Sequence, residues 1–97
     1  MKTLPQIQQH LADGRFEFSR HGFRRAVERN ISEREIREAG VASEIIEDYP
    51  DDKYSPSALL RGFTDIGRPL HFQVSYAELD LARIITIYEL RMKNRKA

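Results

Sequence analysis

Apolar residues recur at helical spacing in the opening stretch LPQIQQHLADG, where Leu4, Ile7 and Leu11 share one face. Pro5 suits a first turn, and Gly14 ends the helix. Residues 15 to 18, RFEF, predict a brief strand with both phenylalanines on one side. Ser19 then offers its hydroxyl to the free amides of a second helix that runs to about Arg29. Asn30, which tolerates a left-handed backbone, closes it. In ISEREI, Ser32 and Glu35 form a capping box, and Ile31 reaches Ile36 as a hydrophobic staple, so a third helix runs to about Gly40. The two helices meet at a tight corner over NIS.

Beyond Gly40 the period changes to two. SEIIEDYP reads as a strand followed by turn formers, SALLRGF and PLHFQVSY flank the hairpin connection TDIGR, and LARIITIYEL is rich in β-branched residues. The pattern predicts an α+β domain, with N-terminal helices packed on a three- to four-stranded antiparallel sheet. If both hairpins close symmetrically, Arg61 faces His71 and His71 faces Thr86. Alternation adds Gln73 and Tyr88 to that polar face and assigns Leu60, Leu70, Phe72, Val74, Ile85 and Ile87 to the core.

With 97 residues, 40% of them hydrophobic, the chain has the size of one domain, 1–97. It has no cysteine, which excludes disulfide and thiol chemistry. His10, His21 and His71 lack ligand-like spacing, so neither a metal nor another cofactor is expected. No signal peptide or membrane span is evident, and a cytoplasmic location away from membranes follows as the expectation. The net charge of +1 conceals a basic ending: residues 91 to 97, RMKNRKA, carry four cations and no acid. That tail could follow a phosphate backbone or keep the chain end dissolved.

Two polar clusters are candidates for chemistry. His21, Arg24, Arg25, Glu28 and Arg29 form a stripe on the second helix, with His21 in a first turn whose amides attract anions. An ordinary solvated face would have the same composition. The other cluster is His71 with Arg61, Gln73 and Tyr88 on the sheet. It holds what RNA cleavage without a metal requires, a group that moves protons near neutral pH and a guanidinium for the phosphorane charge. A structural histidine bonded across the sheet is the plain alternative. Tyr49, Tyr54 and Phe63 could stack on unpaired bases or serve as rim and core.

FSRHGFRRAVERNIS, IIEDYPDDKYSPSALLRGF, GRPLHFQVSY and IITIYEL resemble, in that order, an uncharacterised bacterial family numbered 4258 in the domain-of-unknown-function series. The likeness spans roughly residues 15–89, leaving 90–97 as a basic tail. The family pattern marks Ser19, His21, Arg25, Glu28 and Arg29, then Tyr49, Pro50, Ser57, Gly62, Pro69, His71, Thr86 and Tyr88. Gly22 stands where alanine is usual, and ELRMKNRKA replaces an ending with proline and tryptophan. The family looks related to small RelE-like or BrnT-like toxins, many of which cleave RNA without metal.

The resemblance implies a toxin-type endoribonuclease, in which His71 is the general acid or base and Arg61 and Arg25 stabilise the phosphorane. His21 would orient the phosphate, and Tyr88 would hold a base or assist proton transfer. RNA, free or on the ribosome, an antitoxin-like protein and a second copy of the chain are the partners this implies. A non-catalytic protein-binding or assembly domain, or an inactive toxin relative, is the alternative.

Overall fold

Thr3 opens the first helix by a capping box with Gln6: its hydroxyl accepts from the Gln6 amide while the Gln6 side chain accepts from the Thr3 amide. The computed structural model describes residues 1–52 and 55–90; Lys53, Tyr54 and the basic tail from Arg91 onward lie outside the described residues. Its elements are α1 (Leu4–Ala12), β1 (Phe16–Phe18), α2 (Arg20–Glu28), α3 (Glu33–Gly40), β2 (Glu44–Tyr49), β3 (Ser57–Phe63), β4 (Pro69–Ser75) and β5 (Ala82–Glu89). Ser19 caps α2 and the Ser32–Glu35 box caps α3. Asn30, with φ of 56°, turns the chain between them.

The sheet order is β1-β5-β4-β3-β2. The expected block of helices on three or four antiparallel strands is therefore corrected to a five-stranded mixed sheet, in which β1 lies between α1 and α2 in sequence and pairs parallel with β5. A three-residue strand carries too little periodicity to reveal its partner, and that partner is distant: Glu17 and Arg83, which sit side by side, are 66 positions apart.

Ile7 and Leu11 of α1, Ala26 of α2, Ile36 and Ala39 of α3 join Leu60, Leu70, Phe72, Val74, Ile84 and Ile87 in one core. All three helices thus bury apolar residues against the Leu60/Phe72 face of the sheet, while Phe23 and Val27 of α2 stay exposed. Gly62 permits this closeness, since a Cβ there would stand 1.9 Å from the carbonyl oxygen of Ala39 in α3. The opposite face presents Arg61, His71, Gln73, Thr86 and Tyr88, away from the core that the helices cover.

The β4–β5 register, which includes a bulge, corrects two further expectations. Gln73 pairs with Thr86 but Val74 pairs with Ile84, so Ile85 has no partner in the ladder. The extra residue inverts the alternation along β5. Ile84, fully buried, takes the core place expected for Ile85. His71 accordingly faces Tyr88, while Thr86 faces Gln73.

β1 covers only the first part of β5, and α2 takes over where it stops. The Ser19 amide donates to the Ile84 carbonyl at 2.9 Å, and the Ser19 hydroxyl donates to that of Ile85 at 2.7 Å while accepting from the Gly22 amide. A Cβ at Gly22 would stand 2.6 Å from the Ile84 carbonyl oxygen, so this glycine lets the helix lie against strand backbone.

Arg68 joins the helical corner to the sheet. Its guanidinium donates to Glu35 at 2.8 Å, Glu89 at 3.0 Å, and the carbonyls of Arg29 and Asn30 at 2.7 and 3.2 Å. Among the described residues no helix is long and apolar enough to cross a membrane.

Candidate functional site

The open sheet face is built by alternation. Arg61 on β3, His71 on β4 and Tyr88 on β5 occupy neighbouring positions across three strands, held by the pairs Arg61↔His71 and His71↔Tyr88. The Tyr88 hydroxyl lies 3.2 Å from His71 Nδ1, and their rings are tilted with centroids 5.2 Å apart. His71 is only 8% exposed. Its Nε2 and the Nε of Arg61 are buried without a hydrogen-bond partner among the described residues. Such groups are costly, since a buried nitrogen forfeits its bonds to water.

Burial, and next the Arg61 charge, hold the His71 imidazole below its usual pKa, so it is neutral at pH 7. With its hydrogen on Nδ1, where the Tyr88 oxygen can accept it, the Nε2 lone pair is left to take a proton. The Arg61 guanidinium end is bound to Glu44 at 2.5 Å and stands 6.0 Å from the Phe63 ring centroid. The register puts Tyr49 and Phe63 on this same face, both exposed. The face continues past Gln73, which donates to the Ser57 hydroxyl at 2.8 Å, into a cavity of about 370 Å³ lined by Ser19, Asp52, Ser55, Gln73, Ser75, Arg83 and Ile85.

His21 and Arg25 belong to α2. His21 is exposed, and Arg25 is paired with Glu28 at 3.0 Å. Among the described residues no hydrogen bond, ion pair or ring contact links either to Arg61, His71 or Tyr88. His10, at the end of α1, lies 3.3 Å from the Lys2 ammonium, which donates to the Leu81 carbonyl. Among the described residues no three histidine, aspartate or glutamate side chains converge.

Glu44 is the member of this face that the sequence reading missed. It is the first residue of β2, where nothing local marks it, and only the β2–β3 register sets it opposite Arg61. Glu17 likewise neutralises Arg83, at 2.6 Å.

No curated protein and no solved structure matches the chain. The model of one family, described as Domain of unknown function (DUF4258), matches residues 18–89, from the last residue of β1 to the last of β5. That span holds the whole open face, and the chain belongs to this family.

Proposed function

We propose that the open face cleaves RNA without a metal, in the manner of the RelE-like and BrnT-like toxins that the chain resembles, with His71, Arg61 and Tyr88 as its working groups. The observation that carries this reading is the pair of unpartnered nitrogens, His71 Nε2 and Arg61 Nε, on neighbouring strands. His71 Nε2 takes the proton of a 2'-hydroxyl, whose oxygen attacks the adjacent phosphorus. The bond from phosphorus to the 5'-oxygen breaks, leaving a 2',3'-cyclic phosphate. Tyr88 gives its phenolic proton to that 5'-oxygen and regains one from Nδ1 of the imidazolium. Arg61 leaves Glu44 and places its planar fork on the non-bridging oxygens. Tyr49 and Phe63 offer rings for the flanking bases. His21 and Arg25, on α2, have no part in bond cleavage and could only guide the strand.

A second reading follows from the charges. Glu44 and Glu17 already pair Arg61 and Arg83, which suits a face that binds a protein rather than a polyanion. The two are separated by incubating the full chain with several RNAs, with and without ribosomes and with EDTA present. On the nuclease reading, cleavage persists with EDTA and His71→Gln lowers it by roughly 10²–10⁴-fold. Folded protein that is inert in every format would leave the binding reading in its place, and a His71→Gln protein that cleaves as well as the wild type would overturn the role of His71.

A further inference from the structure

β1 is the last strand of the sheet, and no strand among the described residues pairs with its outer side. Arg15 accepts from the Ala82 amide and the Ser19 amide donates to Ile84, both at 2.9 Å. In the parallel register this turns the backbone groups of odd-numbered residues toward β5 and those of Phe16 and Phe18 away from the sheet. An open strand edge of this kind is a template for another strand.

Beside that edge lies an apolar groove of about 510 Å³, whose lining includes Phe16, Phe18, Phe23, Val27 and Ile31. Phe16 meets Phe18 edge to face with centroids 5.8 Å apart, and Phe18 meets Phe23 at 6.1 Å. Phe23 is 59% and Val27 63% exposed, an unusual cost for a helix that already buries Ala26 in the core. The exposed helix side of the groove is basic. Arg20 and Arg24, which line an adjoining hollow with Phe23 and Val27, are exposed and form no ion pair among the described residues, whereas Glu28 and Glu17 are taken up by Arg25 and Arg83. Glu33 is the acid left at the groove.

We propose that this surface takes an extended, acidic segment of a partner protein, which adds a strand to the free edge of β1. Its alternate apolar side chains enter the Phe18/Phe23/Val27 groove and its carboxylates meet the arginines. Charge selects the occupant. A second copy of the chain would bring the same arginines against each other. Nucleic acid would use the arginines but leave the amides of Phe16 and Phe18 and the Val27 side chain without a role.

The test is selection from a phage-displayed library of random peptides of about ten residues, the length of a strand with its flanks, on the full chain. Selected peptides should be acidic with alternating apolar positions, and their binding should weaken about tenfold or more in Phe23→Ser/Val27→Ser and in Arg20→Gln/Arg24→Gln. Hydrogen exchange read by NMR should show the amides of Phe16 and Phe18 newly protected in the complex. Both pairs of substitutions lie on an exposed helix face, and an unchanged melting temperature verifies the fold. Peptides without acidic bias, equal binding by the variants, or protection that spares Phe16 and Phe18 would overturn the proposal. So would self-association of the wild-type chain through these residues, or a single-stranded RNA that perturbs them while no peptide does.

Discussion

The hydroxyl of Tyr88 lies 3.2 Å from Nδ1 of His71, directly across the β4–β5 ladder. That pairing lies two residues from the symmetric hairpin: Val74 pairs with Ile84, already one residue off, and the bulge at Ile85 adds the second. The histidine is thereby oriented by a phenol and not by the hydroxyl of Thr86, and its other nitrogen is left without a partner.

The lowered pKa of His71 has a defined sign. Unfolding returns the imidazole to its ordinary value, so the unfolded chain binds the extra proton first. This contribution to stability is fully present above about pH 6.5 and is lost as pH falls toward the lowered folded value. An NMR titration of the ring should give a midpoint below about 6.5, and Arg61→Gln should raise it by removing a like charge. A wild-type midpoint at or above the ordinary value would show that His71 is not held neutral.

Glu44 competes with phosphate for Arg61. Exposed pairs of this kind contribute about 0.2–1 kcal/mol, so Glu44→Gln should tighten binding of short RNA by roughly 1.5- to 5-fold at low salt. Fluorescence anisotropy measures this. Weaker binding by the variant would mean that Glu44 positions the guanidinium instead of occupying it.

Gly62→Ala sets two effects against each other. Replacing a strand glycine recovers about 0.5–1 kcal/mol of backbone entropy, whereas overpacking a close contact costs about 1–3 kcal/mol or more. The new methyl would lie 1.9 Å from the Ala39 carbonyl oxygen and 2.7 Å from its carbon, neither of which can rotate away. The clash should win, and the chemical denaturation midpoint should fall. A midpoint equal to or above the wild type would show that α3 can lift from β3 at little cost.

Arg68 is the side chain whose removal should disturb the corner most. It satisfies two helix-end carbonyls and two carboxylates at once, and Arg68→Ala should lower stability by about 1–3 kcal/mol, with lysine unable to restore the four-way geometry. Burial pushes the Glu35 carboxyl up, but hydrogen bonds from the Ser32 amide and Arg68, with the guanidinium charge, outweigh it and hold the pKa below the usual range. That stability is present above about pH 4.5 and is lost as pH falls through the lowered folded value. Urea titrations at pH 7 and pH 3 should show a smaller difference between wild type and Arg68→Ala at the lower pH; an undiminished difference would mean that Arg68 acts through the two carbonyls alone.

Where cause and effect lie within one or two turns of chain, the sequence by itself determined the outcome. Ser19 and the Ser32–Glu35 box set the helix starts, Asn30 and Gly14 supply the left-handed stops, and alternation over residues 57–63 and 69–75 places Arg61 beside His71. The hairpin between those strands is short, so its register follows from its turn.

The tertiary structure decided what depends on distant backbone. β1 and β5 are separated in sequence by two helices and three strands, and no local signal marks the bulge at Ile85. The pairing of Glu44 with Arg61 needs the β2–β3 register, and the lie of α2, which carries His21 and Arg25, is set by its contacts with β5 and by the burial of Ala26 on the Leu60/Phe72 side. Gly22 costs α2 some intrinsic helix propensity, yet it is the residue whose missing side chain lets the helix approach that strand. Helix propensity is a local quantity, and the room for one methyl group is set by a carbonyl more than sixty residues away.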